Sequence, residues 1–129
     1  MMTNSKMSVF NRYTDPSTKK VTFKKHIIDK VFWDNSKGVN LDHGYDKDNA
    51  VNVYIPKNVN DLSDYVPPKS YNGSNWTLNN GDLMIKGEVT ENEVNGIKDL
   101  SAYEVFTITM VDDKDFGSSN MHHFEIRGK

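Results

Sequence analysis

The sequence predicts a mainly β domain, a small antiparallel barrel or sandwich with one short helix and long loops. Three observations lead there. The segment "KVTFKKHIIDKVFWD" carries apolar residues at a period of two, "YEVFTITMV" is rich in β-branched and aromatic residues, and polar turn signals separate these runs. Five to seven strands and one helix are expected, an architecture that buries one sheet face.

The elements follow in order. Residues 1–8 are polar and read as a frayed arm, leaving residues 9–129 as a single domain. "SVFNRY" reads as a short strand, and Asp15–Pro16 opens a turn. In the next strand Val21, Phe23, Ile27, Val31 and Trp33 share one parity and form the expected buried face. Lys25, Asp29, Ile28 and Phe32 break the pattern, which a bend, a bulge or a second contact surface would explain. Residues 35–50 are turn-rich and read as a loop or a loose hairpin tip. "AVNVYIP" alternates Val51, Val53 and Ile55 against polar neighbours and stops at Pro56. Lys57 to Asn75 has no period and contains Pro67 and Pro68, so an extended, functional loop is expected.

"WTLNNGDLMIKGEV" reads as a hairpin whose turn is built on Gly81 and Asp82. Thr90 and Glu93 fit a capping box, predicting a helix of up to three turns with Val94, Ile97 and Leu100 inward, although Gly96 weakens it by about 1 kcal/mol. Phe106, Ile108 and Met110 share a face of the following strand. "DDKDFGSSN" reads as a loop, and a last strand places Phe124 and Ile126 inward.

Composition narrows function by exclusion. Of 129 residues, 36% are hydrophobic, a low share that suits a chain rich in loops or one completed by partners. The net charge of −2 implies no strongly basic face for gripping DNA. There is no cysteine, hence no disulfide framework and no thiolate metal site. The first residues hold no signal-like apolar run, and no window approaches the ~20 apolar residues of a membrane helix, so a soluble protein made in a cytoplasm is expected.

No motif carries catalytic chemistry. His122 and His123 are adjacent and in a strand point to opposite faces, so a metal site would need His26 or His43 brought in by the fold. The acidic runs at Asp46 and Asp112 lack the glutamate or glycine that a calcium loop requires. Glu88, Glu91 and Glu93 are explained by the expected helix start. "NGSN" at Asn72 is a formal glycosylation sequon, without consequence for a chain that lacks a secretion signal. Tyr65, Tyr71 and Trp76 could form a stacking platform for bases, but only Lys69 accompanies them, which favours packing. No catalytic residue, cofactor or metal is expected.

Several blocks together, "VFNRY", "HIIDKVFWDNSKGVN", "AVNVYIP", "YVPPKSY", "WTLNNGDLMIKGEV" and "FTITMVDDKDFGSSNMHHFEIRGK", resemble a family of small structural proteins of tailed phages and prophages of Gram-positive hosts. The resemblance runs from about Val9 to the end. It implies a virion protein and not an enzyme, encoded among the minor capsid and head–tail joining genes. Head-closure or stopper proteins of such phages are small β-barrels that assemble as a ring; tail terminators and minor capsid proteins are the rivals. The implied partners are further copies in a hexameric or dodecameric ring, the neighbouring connector, adaptor and tail proteins, and genomic DNA passing without specific binding, with no membrane. The implied place is the virion's head–tail joint, assembled in the host cytoplasm.

On this reading Leu62, Tyr65, Val66, Pro67, Pro68 and Tyr71 form an assembly contact, because tyrosine is favoured at interfaces, and Leu62–Lys69 should be removable without unfolding. Loops 39–49 and 57–75 supply reach. Asp46, Asp48, Asp112, Asp113 and Asp115 are candidates to face a channel and repel the DNA backbone. The alternative is an independent barrel that binds a sugar or single-stranded nucleic acid through Trp33, Tyr54, Tyr65 and Trp76.

Overall fold

A computed structural model describes residues 3–34, 50–115, 117 and 121–129. Seven strands are present among them: β1 (Ser5–Thr14), β2 (Val21–Asp34), β3 (Val51–Pro56), β4 (Leu83–Lys86), β5 (Glu93–Val94), β6 (Phe106–Lys114) and β7 (His123–Gly128). All neighbours pair antiparallel. The order β1-β4-β6-β7-β3-β2 closes on itself because β1 also pairs with β2, and β5 adds to β2 outside this cycle. The fold is therefore mainly β, an antiparallel barrel closed through the β1–β2 pairing, and among the described residues one side of β2 stays without a strand between Lys24 and Phe32.

Its interior is filled by alternate residues of every long strand: Met7 and Val9, Ile28, Val31 and Trp33, Val51, Val53 and Ile55, Phe106 and Ile108, and Phe124 and Ile126. A second, smaller cluster of Phe10, Leu83, Ile85, Val89, Val94 and Leu100 lies on the other face of β1 and β4. Strands β1 and β4 are thus apolar on both faces, because the chain after Lys86 folds back over their outer side. Ser8, fully buried on that side, accepts from the Val89 amide (3.0 Å) and donates to the Gly87 carbonyl (2.8 Å), so its hydroxyl is paid for.

The bulge expected in the long strand sits at Asp29–Lys30. Met7 opposes Ile28 and Ser5 opposes Val31, so β2 spends one extra residue there. The extra residue inverts the parity of the buried face. Ile28 is buried before it and Val31 and Trp33 after it, while Val21, Phe23 and Ile27 are only half-buried and Phe23 packs on the outer cluster. A single odd-numbered buried face was the wrong expectation.

Other expectations are corrected as well. Residues 1–8 are not an arm throughout: β1 starts at Ser5, Met7 and Ser8 are fully buried, and the Asn4 amide brackets Trp33 N–H (2.9 Å) and C=O (3.2 Å). The capping-box helix does not form. Thr90 Oγ1 bonds Glu91, Glu93 enters β5 and pairs with Lys24, and only a 3-10 turn at Ile97–Leu100 remains, with Ile97 54% exposed. Bonding to β2 outcompetes a helix already weakened by Gly96. The hairpin at Gly81 lacks its first ladder strand. Trp76 makes only a parallel bridge to Tyr65, and β4 pairs with β1 and β6 instead. Met110 is 38% exposed because β6 bulges between Ile108 and Met110, turning Val111 toward the core. Asp112 and Asp113 belong to β6 and not to a loop.

Candidate functional site

The segment from Lys57 to Asn75 was expected to reach outward. It lies instead across the barrel. The Asn60 side chain bonds the Lys30 amide (3.0 Å) and the carbonyls of Lys30 (2.8 Å) and Pro56 (2.8 Å), tying the segment to the β2 bulge and the end of β3. Leu62 and Tyr65 pack on the barrel core, with the Tyr65 ring 5.0 Å from Trp76 and 4.9 Å from Phe124. Val66 is half-buried, and its amide donates to Trp76. Pro67 and Pro68 are exposed and lead into a 3-10 turn at Pro68–Ser70. Tyr71 meets Tyr13 edge-on at 6.2 Å, and burial pushes its hydroxyl up to about 12. Of the six residues expected at an interface, Leu62, Tyr65 and Tyr71 thus serve packing within the chain. Deleting Leu62–Lys69 would open the core, contrary to the expectation that the remainder stays folded.

Beneath this segment is a cleft of about 170 Å³ walled by β2 at His26–Asp29, by Asp61 and Asp64, and by Trp76. It lies beside the bulge, along β2 between its pairings with β5 and β3. His26 lies on the inward face before the bulge and stacks on Trp76, rings 4.3 Å apart and 7° from parallel. Burial lowers the His26 pKa, and the charges of Asp64, Asp29 and Asp61 oppose that effect without cancelling it. Asp61 accepts from the Ser63 amide (2.9 Å), which lowers its pKa. The signal for this cleft in the sequence is indirect, the broken period at Lys25 and Asp29.

The acids proposed for a channel are engaged elsewhere. Lys57 Nζ lies 2.6 Å from Asp113 and 2.7 Å from Asp115 and sits over the Phe124 ring at 4.6 Å. Partial burial acts to lower the Lys57 pKa, but the hydrogen bonds and charges of both carboxylates outweigh it and raise it. Asp112 pairs with Lys114 at 2.9 Å, and His122 lies 3.4 Å from Asp115. These acids are partly neutralised and cannot act as bare repulsive charges. Asp46, Asp48 and His43 fall outside the described residues.

The turn residues are built into the frame. Gly81 has φ of +93°, its amide donates to Ile108, and the Ile108 amide returns a bond to Asp82. Asp82 is 2% exposed and accepts from Asn11 Nδ2 (2.8 Å) and the Arg12 amide (3.0 Å), while burial raises its pKa. Asn11 also brackets Thr77 through its carbonyl and amide.

Among the described residues no group of three or more His, Asp or Glu side chains is arranged to hold a metal, and no helix is long and apolar enough to cross a membrane. No curated protein and no solved structure matches the chain. Residues 2–129 match the family of unknown function DUF6751, and the chain belongs to that family.

Proposed function

We propose that this protein is a non-enzymatic virion component that forms a ring in a phage head–tail joint, in the manner of a head-closure or stopper protein. The resemblance of nearly the whole chain to phage structural proteins motivates the reading, and a closed barrel supplies the rigid subunit a ring needs. One observation favours it over the binding module: Trp33 and Trp76 are 3% and 2% exposed, so the aromatic platform needed to stack sugars or bases is inside the core. A tail terminator or minor capsid protein is a variant of the same reading. DNA then passes a surface that does not grip it, consistent with 16 basic against 18 acidic residues.

Light scattering and negative-stain microscopy of the purified chain, alone and with its connector neighbour, test the proposal. Closed rings of six or twelve copies are expected, together with duplex DNA binding no tighter than about 10⁻⁴ M at physiological salt. A chain that stays monomeric in both settings, or one with submicromolar DNA affinity, overturns it.

A further inference from the structure

The cleft at the β2 bulge has the features of an unfilled socket. Lys25 donates its amide to Asn92, away from β1. Hydrogen-bonding direction alternates along a strand, so the N–H and C=O of Ile27 also point away from β1, on the side of the cleft. Among the described residues, β5 pairs with this edge at Phe23–Lys24 and β3 at Phe32–Asp34, and no strand covers it between them. The Trp76 indole N–H, on a residue 2% exposed in the cleft wall, has no hydrogen-bond partner. Asp61 and Asp64 stand exposed at the rim. Small-molecule pockets run to about 300–1,000 Å³. At about 170 Å³ this cleft fits one extended side chain better than a free metabolite. The occupant it matches brings a cation for the carboxylates and a peptide backbone for Ile27.

This chain carries such a group. The β1–β2 hairpin ends in a turn fixed by its own bonds: Asp15 N–H to Lys20 C=O (2.9 Å), Lys19 N–H to Asp15 C=O (2.8 Å), and the Asp15 carboxylate on the Ser17 and Thr18 amides. That turn holds Lys19 at φ +61° and leaves Lys19 and Lys20 exposed, neither in an ion pair among the described residues. The tip cannot fold into its own cleft. The tip leads directly into β2 and the cleft lies beside Ile27 further along that strand, so at roughly 3.3 Å per residue the strand holds them about 20–25 Å apart.

We propose that the cleft beside His26, Asp61 and Asp64 receives the Lys19–Lys20 hairpin tip of a second copy of this chain. The two surfaces differ, so the contact is heterologous and runs head to tail, the kind that generates a ring when its rotation closes. The inference rests on the ring reading and gives that reading its subunit contact. Because the tip is already fixed, docking it orders little chain.

Charge exchange tests it. Lys19→Glu/Lys20→Glu and Asp61→Asn/Asp64→Lys are each expected to weaken self-association by roughly tenfold or more, the scale of close interfacial charge pairs. Asparagine at 61 keeps an acceptor for the Ser63 amide, and circular dichroism checks that each variant is folded. Mixing the two variants is expected to restore association, because the unchanged tip of the cleft variant meets the unchanged cleft of the tip variant, and the acidic tip of the latter faces the basic-substituted cleft of the former, so assemblies that alternate the two variants form. In a mixture of ¹⁵N-labelled and unlabelled wild-type chains, zero-length carbodiimide coupling is expected to join Lys19 or Lys20 of one copy to Asp61 or Asp64 of another. Rings that survive both variants and lack this cross-link overturn the contact and leave the ring reading standing. A wild-type chain that stays monomeric, alone and with its connector neighbour, overturns both.

Discussion

The two apolar clusters of this protein are built on the same strands but by different means. The barrel interior is closed by a continuous cycle of strand pairings, and its members alternate along β1, β3, β6 and β7. Among the described residues the outer cluster on β1 and β4 is covered by Phe23 of β2, the two-residue β5, the 3-10 turn at Ile97–Leu100 and the chain to Val105. A groove remains there between Phe23, Leu83 and the half-exposed Ile97. Burial within the ladder is cooperative, because losing one residue disturbs neighbours on two strands. Burial beneath a short covering segment is local, and such segments open without global unfolding.

Four measurements sharpen or break this contrast. Phe124→Ala removes a ring 1% exposed from the barrel interior and should cost about 3–5 kcal/mol, read as a lower denaturant midpoint with an unchanged slope. Leu100→Ala empties a fully buried site in the outer cluster and should cost about 2–3 kcal/mol. Hydrogen exchange should show the loss confined to amides between Val89 and Val105, and equal deprotection of β3 and β7 would erase the distinction between the clusters. Gly81→Val isolates the frame from both. Nothing lies within 4 Å of the Cβ it would add, so only the positive φ opposes it, at about 1–2 kcal/mol. Unchanged thermal stability would show that the turn adapts.

The smallest effect concerns His26. Burial holds its folded pKa below the ordinary histidine value of 6.5, so as pH falls from there the unfolded chain takes up a proton that the native chain resists. Stability should therefore decline with falling pH between 6.5 and the folded value and then level off. Relative to the wild type, His26→Phe, which keeps an aromatic ring on Trp76, should flatten that decline. Parallel denaturation curves of the two proteins at pH 8 and pH 5 make the comparison.

Strand content was legible because period-two patterning and β-branched residues directly reflect a half-buried sheet. Val51, Val53, Ile55, Phe124 and Ile126 fall where alternation puts them. Faces were lost where one residue was inserted. The bulges at Asp29–Lys30 and beside Thr109 invert parity, and a period read straight through them misplaces Phe23 and Met110. The segment after Glu88 was misread because Thr90 and Glu93 satisfy a local helix rule that pairing with a distant strand overrides. The cleft was hidden for a related reason. Its walls come from β2, from Asp61 and Asp64, and from Trp76, which only the tertiary fold brings together.

Closure of the barrel also sets an order of events. The β1–β2 and β6–β7 ladders join neighbours in the chain and can form early, whereas the β1–β4 ladder joins Met7 to Lys86 and waits on a long loop to close. Topologies dominated by such distant pairings fold in milliseconds to seconds. During that interval the edge of β4 that meets β1 presents Leu83, Met84 and Ile85 unpaired, so the nascent chain is most prone to mispairing at a strand that is later apolar and buried on both faces.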